Sequence, residues 1–140
     1  MADRVRRLDH VAIVVRDTAA AIATFGDWLG LRVAHSEELA EPHVRLTYLD
    51  CGNCYVQLVE PLAEDSAAAA FLREHGEGLH HICFGVDDVE ATAHALAGPP
   101  AARASGRGRP SAFVGDVRHG VTVELTRFER EQDVGAGWLS

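Results

Sequence analysis

The sequence repeats itself. Leu8-Asp9-His10-Val11-Ala12-Ile13-Val14-Val15-Arg16-Asp17 matches Leu79-His80-His81-Ile82-Cys83-Phe84-Gly85-Val86-Asp87-Asp88 at a constant offset of 71 residues. A second pair, Tyr55-Val56-Gln57-Leu58 and Thr122-Val123-Glu124-Leu125, follows at an offset of 67. Self-similarity at fixed spacing means that one supersecondary unit is used twice. Each copy opens with an apolar strand and passes an aspartate placed to cap a helix, Asp17 in one and Asp88 in the other. An alanine-rich helical stretch follows, and then further strands. The helical face of the first copy carries Ile22, Phe25 and Leu29, and that of the second Val89, Ala93 and Leu96.

The other segments complete this plan. Residues 31–36 and 43–50 read as strands, with 37–42 as a polar turn between them. Gly52-Asn53 is a hairpin signal leading into a strand over 54–60. Ser66 caps a linking helix over 67–75, which Gly76 ends. Residues 98–110, rich in Gly, Pro, Ala and Arg, read as a loop with at most one short strand. Residues 113–115 and 121–128 close the second copy, and 129–140 reads as a frayed end, with docking of Trp138 as the alternative. The expected architecture is a single α+β domain over 1–140. It contains two modules, about 6–61 and 78–128, joined by a helix at 66–75.

Composition removes several classes of function. The formal charge is −8 over 140 residues, which gives a nucleic-acid surface no support. All 13 basic residues are arginine, so lysine Schiff-base chemistry and the lysine of a P-loop are both excluded. No apolar run is long enough to span a membrane. The first residues lack the apolar region of a secretory signal, so the expected location is the cytoplasm. Three cysteines do not make a disulfide framework. The Cys51-Gly52-Asn53-Cys54 motif flanks a hairpin turn rather than a helix N-terminus, so it lacks the usual support for a reactive thiolate.

Strand alternation singles out a set of side chains. In the first strand His10, Ala12 and Val14 share a face. Gln57 lies with Tyr55 and Val59, His81 with Cys83 and Gly85, and Glu124 with Thr122 and Thr126. The opposite faces are apolar and suit packing on helices. Each inner face therefore presents one strong polar ligand among mostly small neighbours. Two imidazoles, a carboxylate and an amide oxygen form a mixed N/O set suited to a divalent ion with a position left for water or substrate. Cobalt, manganese, nickel, zinc, magnesium and iron are not distinguished by such a set. Alternation places His80 opposite His81, on the helix side or at the interface. Cys83 is expected on the cavity floor, and His35, His75, His94 and His119 on the surface. Arg103, Arg107 and Arg109 read as a solvated basic loop, with phosphate binding as the alternative.

These residues resemble the vicinal oxygen chelate (glyoxalase/bleomycin resistance/dioxygenase) superfamily, and within it the methylmalonyl-CoA epimerases. The matching stretches are Leu8-Asp9-His10-Val11-Ala12-Ile13, Val56-Gln57-Leu58-Val59-Glu60-Pro61 and Asp65-Ser66 with Phe71-Leu72. Gly76-Glu77-Gly78-Leu79-His80-His81-Ile82, Val86-Asp87-Asp88 and Gly120-Val121 with Val123-Glu124-Leu125 continue the match. It runs from Leu8 to Arg127. The resemblance implies paired βαβββ modules in a curved, barrel-like mixed sheet around a metal cavity, and a homodimer. It implies His10, Gln57, His81 and Glu124 as ligands of a divalent metal, and an acyl-CoA or related thioester as substrate. Chelation of the thioester carbonyl would acidify the α-proton, with Glu124 as ligand and base.

The chain departs from that pattern in two informative places. The strand position that carries a second catalytic glutamate in bacterial epimerases is Leu46 here. His43 and Tyr48, in the same stretch, are the candidates to replace it. Gly115-Asp116 also stands where the family has a His-Pro pair. The expected activity is thus a metal-dependent isomerase of the epimerase type, or a diverged relative that isomerises or cyclises a biosynthetic intermediate. An Fe(II) extradiol-type dioxygenase using His10, His81 and Glu124 is a second reading, against which Gln57 counts as a fourth ligand. A drug-binding resistance protein is the non-catalytic reading, against which the complete ligand set counts.

Overall fold

A computed structural model describes residues 5–98 and 103–129. Trp138 and the rest of the tail beyond Glu129 lie outside the described residues. The first module comprises β1 (Arg7–Val14), α1 (Thr18–Ile22) with a π-helical continuation (Ala23–Trp28), β2 (Arg32–Leu39), β3 (Val44–Asp50) and β4 (Tyr55–Pro61). Helix α2 (Ala67–His75) links it to the second module. That module comprises β5 (Gly78–Val86), α3 (Val89–Ala97), β6 (Arg103–Ala104), a 3-10 turn (Gly106–Gly108), β7 (Pro110–Arg118) and β8 (Val121–Arg127). Both halves are βαβββ, as the repeat predicts.

The strands form one sheet in the order β2-β3-β4-β1-β5-β8-β7-β6. The two modules meet at its centre, where β1 and β5 pair antiparallel. Each module then reads outward in the same way, with β1 parallel to β4 and β5 parallel to β8. The sheet is curved and unclosed, with β2 at one end and β6 at the other. No helix among the described residues is long and apolar enough to cross a membrane.

The helices start where the sequence places their caps. Asp17 accepts a hydrogen bond from the Ala19 amide, Ser66 from Ala69 and Asp88 from Ala91. Gly76, at φ +80°, ends α2 in a left-handed conformation that a side chain resists. The outer face of the first module packs Ile13, Leu49, Val56 and Leu58 against Ile22 and Phe25. The second packs Phe84, Val86, Val123 and Leu125 around Val89 and Ala93 of α3. Helix α2 lies over the inner face of the first module, through Ala68, Phe71 and Leu72.

Three local expectations are corrected. Leu29 is 55% exposed, because the helix widens and Leu29 N–H bonds back to Thr24, five residues earlier. That wider turn rotates Leu29 off the face shared by Ile22 and Phe25. In α3 the inward position after Val89 is Thr92, and Leu96 is 58% exposed. The stretch 37–39 is strand rather than turn. Glu37, Glu38 and Leu39 pair with Leu46, Arg45 and Val44, and Arg45 bonds Glu38 across the strands at 2.8 Å. Charged side chains on an edge strand suit solvent and do not mark a turn.

The burial pattern gives a direct test. Leu58→Ala should destabilise the fold by about 2–5 kcal/mol, whereas Leu96→Ala should change it by less than about 0.5 kcal/mol, both read by urea denaturation.

Candidate metal centre

The seam register assembles the site. Across the sheet, His81 of β5 is opposite Ala12 of β1, which is opposite Gln57 of β4. In the adjacent row, His10 of β1 is opposite Cys83 of β5, which is opposite Glu124 of β8. Directly opposed residues on one face have side chains within about 5.5 Å. Ala12 and Cys83 occupy duplicated positions, and both are fully buried. Their small side chains leave the space into which the four longer ones converge.

The convergence is close. His10 Nε2 is 3.4 Å from His81 Nε2 and 3.4 Å from Glu124 Oε1. His81 Nε2 is 3.2 Å from the same carboxylate oxygen. Donors held by one ion at bonds of about 2.0–2.1 Å lie about 3.0–3.4 Å apart, so this triangle has the dimensions of a divalent metal site. Gln57 stands in the row of His81, opposite Ala12. Its Nε2 donates to the Tyr48 hydroxyl at 2.9 Å, and its Oε1 is buried with no hydrogen-bond partner. An unsatisfied buried carbonyl oxygen costs free energy that a coordinated cation would offset. The residues present thus fit a divalent ion by distance, donor chemistry and an orphaned acceptor.

Each histidine is oriented from behind by the residue before it. His10 Nδ1 donates to Asp9 Oδ2 at 2.6 Å, since the carboxylate only accepts. His80 Nδ1 and His81 Nδ1 lie 2.8 Å apart. Two β-bulges at duplicated positions make this possible. The β1–β5 register skips at Asp9 and again at His80. A bulge turns two successive side chains toward one face, which strict alternation forbids. His80 therefore lines the inner cavity instead of facing the helix side. An aromatic ring also stands edge-on to each of these histidines. Tyr48 is 5.7 Å from His10 between ring centres, and Phe113 is 5.1 Å from His81.

Charge in this buried cluster is balanced by contact. Burial opposes ionisation of Glu124, but hydrogen bonds to His10 and His81 hold its carboxyl well below the usual carboxylate range. Burial likewise opposes charge on His10, but Asp9 and Glu124 outweigh it and raise the imidazole. Asp9 is lowered to about 2, with burial overcome by His10 and Arg107. Burial and the neighbouring His81 lower His80 to about 4. Burial pushes the Tyr48 phenol well up, so it remains protonated. The Cys83 thiol is raised by burial and by the Glu124 charge, and it hydrogen-bonds Glu124. Cys51 and Cys54 are both raised by burial, so neither is held as a thiolate.

Arg107 and Arg109 do not form a solvated loop. Arg109 is 4% exposed and Arg107 reaches Asp9 Oδ2 at 2.5 Å, because a buried aspartate needs a cation to remain ionised. Arg103 is exposed. Among the candidates to replace the second glutamate, Tyr48 lies inside, bonded to Gln57. His43 is exposed in the turn before β3 and does not line the cavity. Leu46 does line it, within a pocket of about 140 Å³ that also takes in Val44, Val59, Phe113, Gln57 and Glu124. His75, His94 and His119 are exposed, as expected. His35 pairs with Glu37 at 2.8 Å and lies 5.9 Å from the Tyr48 ring. Sequence patterning does not find Asp9 or its pairing with Arg107, because alternation points Asp9 outward and nothing local ties it to a loop 98 residues away. The one available signal is the Gly106-Arg107-Gly108 turn, in which an arginine stands between two glycines.

A family model for the Glyoxalase/Bleomycin resistance protein/Dioxygenase superfamily matches residues 9–113. The chain belongs to this superfamily. It is similar to the mitochondrial methylmalonyl-CoA epimerase of Homo sapiens, at 40% identity over 86 residues, 61% of this chain and 49% of that protein. The match thus spans about half the length of the human relative. The ethylmalonyl-CoA/methylmalonyl-CoA epimerase of Cereibacter sphaeroides is 36% identical over 105 residues, covering 74% of this chain and 78% of that one. Among solved structures, a glutamate-to-leucine variant of Streptomyces coelicolor methylmalonyl-CoA epimerase is in complex with 2-nitronate-propionyl-CoA. It superposes with a TM-score of 0.81 at 34% identity, over 91% of this chain and 97% of that chain.

Acid should expose the buried charge pair. Asp9 titrates near 2 in the fold against an ordinary 3.8, so its stabilisation is present above about pH 4 and lost as pH falls toward 2. Urea denaturation across that range should show wild type losing on the order of 2 kcal/mol more than Asp9→Asn.

Proposed function

We propose that the protein is a divalent-metal-dependent isomerase of the epimerase type that acts at the α-carbon of an acyl thioester, with methylmalonyl-CoA as the default substrate. The observation that carries this reading is the orphaned Gln57 Oε1 beside the His10, His81 and Glu124 triangle, at the polar end of an otherwise apolar cavity. The named epimerases among the relatives support the substrate class. The glutamate-to-leucine variant of the Streptomyces coelicolor epimerase, in complex with 2-nitronate-propionyl-CoA, supports an acyl-CoA ligand for this fold.

A bound divalent ion would supply Lewis-acid polarisation of the substrate carbonyl, which makes the adjacent C–H acidic. The chain's own residues do the rest. His10, His81, Gln57 and Glu124 would hold the ion. Glu124, kept ionised by the two imidazoles, accepts the α-proton and returns it. Tyr48, protonated and accepting from Gln57 Nε2, holds the amide and leaves its Oε1 as the open acceptor. Val44, Leu46, Val59 and Phe113 line the cavity and exclude water from the reacting carbon. Leu46 offers no proton, so proton exchange at Glu124 runs ahead of inversion. His43 is outside this arrangement, and the reading rests on Glu124 and Tyr48.

The reading includes a homodimer. Trp28, Leu29 and Val33 are exposed in one short stretch leading into edge strand β2, and burying them needs a partner surface. Sedimentation should give twice the chain mass, and Trp28→Glu should shift the protein to monomer.

Proton NMR of methylmalonyl-CoA in deuterated water tests the chemistry, with cobalt, manganese or nickel and a metal-free control. The α-proton signal should disappear only with metal. Glu124→Gln should slow the exchange by about 100-fold or more. Leu46→Glu should raise inversion relative to exchange. No exchange with any of the metals would remove methylmalonyl-CoA as the substrate.

A further inference from the structure

Arg107 occupies a costly position. Its backbone is left-handed, at φ +61°, where a side chain other than glycine is disfavoured, and glycines flank it on both sides. Strain of this kind persists only where the surroundings over-determine the conformation. They do so here from the other module. The Arg107 amide donates to Glu37 Oε2 of β2 at 2.7 Å. Its guanidinium forks onto Asp9, with Nη2 at 2.5 Å from Oδ2 and Nη1 at 3.3 Å from Oδ1. The same planar group lies over the Tyr48 ring at 4.6 Å and near the Tyr55 ring at 5.6 Å. Gly106 is required beside it, because a Cβ there would meet the Tyr48 hydroxyl.

We infer that Arg107 is a positioning residue for metal binding: it clamps Asp9 so that Asp9 fixes the His10 ring with Nε2 aimed at the His81 and Glu124 donors. Asp9 Oδ2 is shared between the His10 Nδ1–H and the Arg107 fork, so the carboxylate is held on two sides. A carboxylate without the fork is free to rotate and to release the imidazole. Arg109 does not replace it, since its nearest nitrogen is 3.7 Å from Asp9 Oδ1. The arrangement also ties ligand geometry to the meeting of the two modules, because Arg107 belongs to the second and Asp9, Glu37 and Tyr48 to the first. At the duplicated ligand, His81, the supporting partner is the neutral His80 imidazole, so the two halves orient their histidines by different chemistry.

The inference rests on the metal reading above, and a titration of the metal-free protein with Co(II) alone separates the two. Affinity is read by calorimetry and by the d–d absorption of the bound ion. Arg107→Gly removes the clamp and relaxes the backbone, and should bind Co(II) about 10–100-fold more weakly with an altered d–d band. Arg107→Lys, which keeps the charge but not the fork, should fall between that variant and wild type. Arg103→Gly, in neighbouring β6 and exposed, should bind as wild type does. A purely structural role would lower the melting temperature of Arg107→Gly and leave the Co(II) affinity and spectrum unchanged, and that result overturns the inference. If Arg107→Gly does not fold by circular dichroism, wild-type affinity in Arg107→Lys overturns it. Wild-type protein that takes up no Co(II) overturns both the inference and the metal reading.

Discussion

The antiparallel seam between β1 and β5 is the constraint on which the rest of the structure depends. It sets His10 against Cys83 and Ala12 against His81, and through β4 and β8 it brings Gln57 and Glu124 into the same two rows. A slip of one residue would turn every one of these side chains to the other face. The apolar outer faces prevent that slip, because Ile13, Val56 and Leu58 in one module and Phe84, Val123 and Leu125 in the other are held under helices. Register is therefore enforced by packing on one side of the sheet and used for chemistry on the other.

Duplication gives the site its frame, and divergence gives it direction. Equivalent positions carry histidine twice, but glutamine faces glutamate, aspartate faces histidine behind the ligands, and Tyr48 faces Phe113 at the rings' edges. A symmetric set would hold an ion and offer the same group on each side of a substrate. Here one side carries the single carboxylate in the ligand triangle, and Leu46 lines the cavity with hydrocarbon. The two-fold scaffold thus carries a one-sided set of polar groups.

Much of this was legible in the residues. The repeat gives both βαβββ modules, and the caps at Asp17, Ser66 and Asp88 start helices at the expected places. Period-two alternation separates the polar inner set from the apolar outer set because side-chain direction in a strand is a local property. It fails where the period is broken. The bulges at Asp9 and His80 bring two successive residues inward, and no local propensity marks them, since each bulge answers to the partner strand's register. The π-helical widening that exposes Leu29 escapes a reading at 3.6 residues per turn for the same reason.

The sequence by itself determined the modular plan, the two faces of each strand and which polar side chains stand on the inner face, because these follow from periodicities of the chain and from its internal copy. Only the tertiary structure decided that Asp9 stands behind His10, that Arg107 crosses between modules to hold it, and that Tyr48 rather than His43 lies within bonding distance of Gln57. Those outcomes depend on contacts between residues far apart in the chain. Such contacts are fixed by sheet register and by a loop folding back over the sheet, neither of which has a local signature.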